Sequence, residues 1–315
     1  MYSRENYREA KKIIEDRRLS AEAEADLRNA EVRASYPEIA EIDRELTGTG
    51  LALFKIACAG GDIEPLKRRN QELVAKRRSL LSQLGLGEDY TDVRYTCPLC
   101  KDTGYRGSTV CKCLKEMVVR MNIRSSGMGH LVDKQTFDNF DLGWYAGDER
   151  AYKVMQSNVA AARAFAEGLD TVGGSLLLLG TTGTGKTHLS SAIAGEALRR
   201  GFDVVYDSAQ TIVDAFADDR FRSGYRQTES RSEKYNECEL LIIDDLGAEF
   251  VNQFSISVIY NLLNLRSNRG LSTVVSTNLS AKELLEKYEG RIHSRLIGGD
   301  FRVLQFMGRD HRVFK

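Results

Sequence analysis

Gly180-Thr181-Thr182-Gly183-Thr184-Gly185-Lys186-Thr187 fits the pattern G-x-x-x-x-G-K-[ST], and its flanks supply the setting that pattern requires. Ser175-Leu176-Leu177-Leu178-Leu179 precedes it as an apolar run of strand length. Leu189, Ile193, Ala197 and Leu198 follow at helical spacing, and Arg199-Arg200-Gly201 reads as a helix C-terminus. A strand, a glycine-rich turn and a helix in that order make a phosphate cradle. The glycines let backbone N–H groups turn inward around a β-phosphate, and the helix N-terminus adds positive potential. Lys186 reaches the β- and γ-phosphates in such a cradle, and the Thr187 hydroxyl is placed to ligate Mg²⁺. The expected ligand is a nucleoside triphosphate.

Working outward, 315 residues leave room for about two domains. Lys plus Arg and Asp plus Glu number 45 each, so any nucleic-acid site must be a local patch rather than a bulk charge effect. No uninterrupted apolar run exceeds the length of a strand, which excludes a membrane span. The first thirty residues are densely charged and lack an apolar signal core, so a cytoplasmic protein is expected.

From Tyr152 onward strand-like and helical segments alternate, predicting an α/β fold: a parallel sheet with helices on both faces. Strands are expected at 175–179, 202–206, 240–244, 271–276 and 301–306. Residues 151–315 are read as the nucleotide domain, 131–150 as a linker, 91–130 as a cysteine module and 1–90 as a helical region. Within that helical region Ile63, Leu66, Asn70, Leu73, Arg77, Leu80 and Leu84 recur alternately three and four apart. Val32, Tyr36, Ile39 and Leu46 draw a second seam, and Pro37 predicts a helix starting near Ser35. Two readings stand: an internal helical bundle, or a surface for docking a partner.

Four of the six cysteines fall in Cys97-Pro98-Leu99-Cys100 and Cys111-Lys112-Cys113. Two close pairs of soft ligands suit tetrahedral Zn²⁺, with Gly104 and Gly107 permitting the turn between them. The second pair has one intervening residue instead of two, and His130 is an alternative ligand. An iron–sulfur cluster and unliganded thiols are the other readings. Cys58 and Cys238 read as small core residues.

Hydrolysis needs more than a cradle. Leu240-Leu241-Ile242-Ile243 ends in Asp244-Asp245, where Asp244 is placed to hold Mg²⁺ and Asp245 to take a proton from the attacking water. The strand at 271–276 ends in Thr277-Asn278, and Asn278 is placed to orient that water. Gly290-Arg291-Ile292-His293-Ser294-Arg295 carries two arginines, either of which suits insertion into a neighbouring subunit's site.

These motifs in this order, with Asp244-Asp245 followed by Leu246-Gly247 and Phe137-x-x-Phe140 upstream, resemble the AAA+ ATPases of the DnaC, DnaI and IstB group. The resemblance covers about 135–315. It implies a five-stranded AAA+ sheet without a C-terminal lid, and it favours Arg295 as the arginine acting on a neighbour. Many relatives carry Glu at the second acidic position, so Asp245 predicts slow ATP hydrolysis, dependent on a partner or DNA. The resemblance also implies a helical insertion contacting single-stranded DNA, here spanning 208–235. Its interleaved cations and aromatics include Phe216, Arg220, Phe221, Arg222, Tyr225, Arg226, Arg231, Lys234 and Tyr235, diluted by Asp218, Asp219, Glu229 and Glu233. The cysteine module aligns the chain with DnaI-like loaders, implying ATP, Mg²⁺ and Zn²⁺ as cofactors, self-assembly, and a hexameric replicative helicase as partner. An IstB-like helper of a transposase is the alternative. A metabolic P-loop kinase is a third class, for which no acceptor pocket or closing lid is legible.

Overall fold

The computed structural model describes residues 4–59, 61–129, 131–171, 173–222, 230–299 and 301–310. The chain divides into two compact units, Lys11–Leu114 and Met1–Ala10 with Lys115–Lys315.

The smaller unit is built on three helices, α1 (Arg4–Ser35), α2 (Pro37–Cys58) and α3 (Glu64–Gln83). Pro37 occupies the first turn of α2, where its missing N–H costs nothing. The two predicted seams meet. Val32, Ile39 and Leu81 form a buried cluster with Tyr36, Leu80, Leu86 and Tyr90 packed around it. Leu81 lies outside the heptad frame yet is fully buried, whereas the frame residue Leu84 is 40% exposed. α3 has reached its C-cap at Leu84 and turns through Gly85, so its last turn rotates away from the seam. Asn70 donates to Thr49 Oγ1 at 3.0 Å, and Arg77 bonds Asp43, Asn29 and Thr91, tying three helices together through polar seam positions. Cys58, expected in a core, is exposed on the last turn of α2. A two-residue hairpin, β1 (Tyr105–Arg106) and β2 (Thr109–Val110), carries the cysteine loops.

The larger unit continues from α4 (Lys112–Ser125) through α5 (Leu131–Lys134), a 3₁₀ turn (Leu142–Tyr145) and α6 (Glu149–Glu167). Then come β3 (Ser175–Leu179), α7 (Lys186–Arg200), β4 (Val204–Ser208), α8 (Ala209–Arg222) and α9 (Glu233–Glu237). The chain finishes with β5 (Leu240–Leu246), α10 (Gln253–Asn268), β6 (Ser272–Thr277), α11 (Ala281–Gly298) and β7 (Phe301–Gln305). The sheet is parallel throughout, in the order β4-β5-β6-β3-β7. Its strands are continuous apolar runs because both faces are covered. Leu176 and Leu178 pack with α6 and α7, while Leu177 and Leu179 pack with α10 and α11. β4 begins two residues later than its apolar pattern suggests. Gly201 closes α7 in the left-handed conformation, and the Phe202 N–H donates back to Ala197 O, so the helix C-terminus consumes these residues.

Parallel strands leave their C-terminal ends on one edge, where ligands of such sheets bind. β6 lies between β3 and β5, so the loops after these three strands are neighbours. Among the described residues no helix is long and apolar enough to cross a membrane.

Candidate functional site

The loop between β3 and α7 forms one wall of a cavity of about 440 Å³. Thr182, Gly183, Gly185, Lys186 and Thr187 line it from the loop, Asp245 from the end of β5 and Asn278 from the end of β6. Phe140, Trp144, Tyr145 and His188 supply an aromatic part of the lining. Gly183 has φ +72°, and a Cβ built on it would sit 1.7 Å from Asp310 Oδ1, so only glycine fits there.

The Lys186 side chain is almost wholly buried, its Nζ donating at 2.7 Å to Gly180 O, Thr181 O and Asn278 Oδ1. The other end of the Asn278 amide donates to Asp245 Oδ1 at 3.2 Å. One amide thus bridges the lysine and the acid. The register that makes this possible pairs Leu179 with Thr277, putting Asn278 level with the first loop glycine.

Asp245 adopts φ +53°, an uncommon conformation for a non-glycine residue. The β5–β6 register slips between Ile243 and Leu246, and this bulge re-aims the paired acids. Asp245 N–H donates to Ser276 Oγ at 2.9 Å, which secures the turn. Asp244 sits behind the cavity rather than in its lining. Its carboxylate accepts the Ser276 hydroxyl and, at 2.9 Å, the Tyr206 hydroxyl, itself shared with Ser190. Burial pushes the Asp244 carboxyl above its ordinary range, against the opposing hydrogen bonds from Ser276 and Tyr206. Tyr206 is also pushed up, by burial and then by the Asp244 charge, so it remains a donor.

The aromatic wall is braced from the same loop. Tyr145 donates to Thr184 O at 2.9 Å, and burial pushes its hydroxyl up to about 12. Phe140 stacks parallel to Tyr145 and edge-on to His188, whose ring bonds Thr136 O at 2.9 Å. Of these groups only Phe140 belonged to a motif. Tyr206, Ser276, Tyr145 and His188 carry no sequence signal beyond their proximity to strand ends and the Phe-x-x-Phe stretch.

Arg295 and Arg291 do not line this cavity. They border a separate recess with Tyr260, Gly290 and Ser294, where Arg295 donates to Asn264 Oδ1 and its guanidinium lies 6.0 Å from the Tyr260 ring centroid. Of the DNA-contact residues expected from the sequence, Arg220 lies on α8 over the Phe254 ring at 5.4 Å. Tyr225 and Arg226 fall outside the described residues, as do His130 and the side chains of Phe221 and Arg222. Several neighbours in that stretch are engaged within the protein. Phe216 stacks on the buried Tyr235, Lys234 pairs with Asp207, and Arg231 pairs with Asp218.

In the smaller unit the four predicted thiols converge. The Sγ atoms of Cys97, Cys100, Cys111 and Cys113 all lie within 4.8 Å of one another, with Cys97–Cys111 at 3.9 Å and Cys100–Cys113 at 3.4 Å. Tetrahedral sulfur around zinc puts ligand atoms about 3.8 Å apart, so the set fits that ion despite the short second spacing. Asp102, nearly fully buried, accepts Thr96 N–H at 2.7 Å and Cys97 N–H at 2.9 Å, shaping the first cysteine turn. Without a cation, burial and the other three thiols push the Cys113 thiol well above its ordinary value. A bound metal reverses that preference by stabilising thiolates.

A glycine-rich loop between the first core strand and its helix, facing paired acids from a nearby strand, defines a P-loop ATP-binding domain. The chain belongs to the family described as IstB-like ATP binding protein, whose model matches residues 117–290. It is similar to the replicative helicase loader DnaC of Escherichia coli K12, 25% identical over 182 residues, or 58% of this chain and 71% of that protein. It is also similar to the phage-like element PBSX protein XkdC of Bacillus subtilis strain 168, 27% identical over 229 residues, or 68% of this chain and 82% of that one. Among solved structures, a DnaC helicase loader crystal structure matches with TM-score 0.47 and 18% identity, covering 56% of this chain and 98% of the other.

Proposed function

We propose that this protein is an ATP-driven loader of a hexameric replicative DNA helicase onto single-stranded DNA, acting in the cytoplasm at the start of replication. The observation that carries the reading is the separation of two groups of residues. Lys186, Thr187, Asp245 and Asn278 share one cavity, while Arg291 and Arg295 border another recess. In this reading Arg295 takes part in hydrolysis by completing the site of a second copy, as an arginine supplied in trans does. The name of the E. coli relative supports the choice of a helicase as partner.

In this reading the backbone N–H groups of Gly180 to Thr187 cradle the phosphates, and Lys186 exchanges its carbonyl partners for β- and γ-phosphate oxygens. Asn278 orients a water molecule. The water oxygen bonds to the γ-phosphorus while the bond from that phosphorus to the β–γ bridging oxygen breaks, and the water's proton passes to the Asp245 carboxylate. ADP, phosphate and a proton are the products. Thr187 and Asp244 would hold Mg²⁺, which supplies positive charge against the phosphate oxygens when bound. Arg295 from a neighbouring copy stabilises charge on the transferring group. The reach of Asp245 is short, so turnover is slow until a partner or DNA assists. The helical region 1–90 and the cysteine module 91–130, with Cys97, Cys100, Cys111 and Cys113 holding Zn²⁺, grip the helicase. Residues 131–150 link them to the ATPase domain 151–315, whose Arg220, Phe221, Arg222, Tyr225 and Arg226 approach single-stranded DNA.

The test mixes the full chain with the replicative helicase of its own cell, circular single-stranded DNA, and ATP or ADP. The expected result is an ATP-dependent complex and transfer of the helicase to the circle. Association with a transposase in place of the helicase, or with neither, overturns the reading.

A further inference from the structure

Glu249 is a carboxylate only 4% exposed, four residues beyond Asp245 on the loop that leaves β5. Among the described residues no cation pairs with it. Its Oε2 accepts Gly247 N–H at 2.7 Å, and its Oε1 accepts the hydroxyl of Tyr288 from α11. Tyr288 is fully buried. A carboxylate buried without a counter-charge is costly to keep, and a carbonyl or an apolar side chain would fill the same space more cheaply.

What the carboxylate holds is the turn that aims Asp245. Ala248 N–H donates to Asp245 O at 3.0 Å, and Gly247, at φ +102°, is pressed against Leu279 so closely that a Cβ there would lie 2.5 Å from its Cδ1. α11 grips the same turn a second time, Lys287 Nζ donating to Gly247 O at 3.1 Å. Asp245, at φ +53°, is held at its N–H by Ser276 Oγ and at its carbonyl by Ala248 of this loop. Arg291 and Arg295 follow Tyr288 by three and seven residues along α11, so the helix that clamps the turn also carries the arginines.

We propose that Glu249 and Tyr288 are positioning residues for ATP hydrolysis: their hydrogen bond clamps the Asp245–Glu249 turn to α11 and so aims the Asp245 carboxylate at the attacking water. This rests on the assignment of Asp245 as proton acceptor.

The experiment measures ATP affinity by titration calorimetry and single-turnover hydrolysis at saturating ATP, on the full chain, well below the melting midpoint of each variant. Tyr288→Phe removes one hydroxyl and keeps the ring in the core. It is expected to slow hydrolysis about tenfold with ATP affinity unchanged. Glu249→Leu is expected to be slower still, and Glu249→Gln, which keeps one acceptor, to recover part of the loss. A merely structural role predicts a lower melting midpoint with rate and affinity both intact in the folded fraction. Wild-type hydrolysis in Tyr288→Phe and Glu249→Leu, alongside an inactive Asp245→Asn, overturns this inference alone. Wild-type hydrolysis in Asp245→Asn overturns the assignment of Asp245 and this inference with it.

Discussion

The Lys186 ammonium is held by three acceptors at 2.7 Å, two of them carbonyls of the loop that it is expected to leave for phosphate oxygens. Exchange of carbonyls for charged oxygens gains charge-assisted hydrogen bonds. Removing the ammonium forfeits them, so Lys186→Ala is expected to weaken ATP binding by about a hundredfold, read by titration calorimetry. Lys186 was legible in the sequence from its glycine-rich pattern, and Asn278 and Asp245 because each follows an apolar run at a strand end. Tyr206 was not. Its role at Asp244 arises from the pairing of β4 with β5, which sets Ser208 beside Asp244 and leaves the Tyr206 hydroxyl within 2.9 Å of the acid. Nothing local to Val204–Ser208 announces that partner.

At the scale of elements, the cysteine hairpin and the helical bundle each make a separate prediction. The sulfur cluster is expected to carry one zinc per chain, measured by elemental analysis of the purified protein. Cys100→Ser should lower that content, and chelation should melt the hairpin without lowering ATP affinity, since the two sites belong to different units. In the bundle, Arg77 is 14% exposed and joins α3 to Asp43 on α2 and Asn29 on α1. Its loss strands three polar partners, and Arg77→Ala is expected to cost about 3 kcal/mol in urea unfolding followed by circular dichroism. Burial alone would raise the Asp43 pKa, but the Arg77 and Arg33 guanidiniums outweigh it and hold the carboxyl below its ordinary 3.8. The folded value lies below the unfolded one, so this stabilisation is fully present above about pH 4 and is lost as acid protonates the carboxylate. The melting midpoint is expected to fall across that window, and to fall less in Asp43→Asn. The seam periodicity left open whether these helices pack on one another or on a partner; it missed Leu81, because the turn at Leu84–Gly85 rotates the end of α3.

For the molecule as a whole, the proposed reading ties hydrolysis to assembly through Arg295, which lies outside the cavity of its own chain. Arg295→Ala is expected to leave ATP binding within about twofold of wild type. Turnover in the assembled form should fall about a thousandfold, measured by phosphate release against protein concentration. Turnover unchanged on assembly would exclude Arg295 from that role. By itself the sequence determined the class of ligand, the five strands, the parallel α/β sheet and the four cysteines that cluster, because each depends on residue types at short spacings along the chain. The tertiary structure alone decided which side chains meet at the site. Strand order places β6 between β3 and β5, a bulge sets Asp245 in the cavity lining while Asp244 bonds Ser276 and Tyr206, and a buried Glu249 joins that turn to α11. Those outcomes come from packing both faces of the sheet at once, and they bring together residues whose separation along the chain hides the contact.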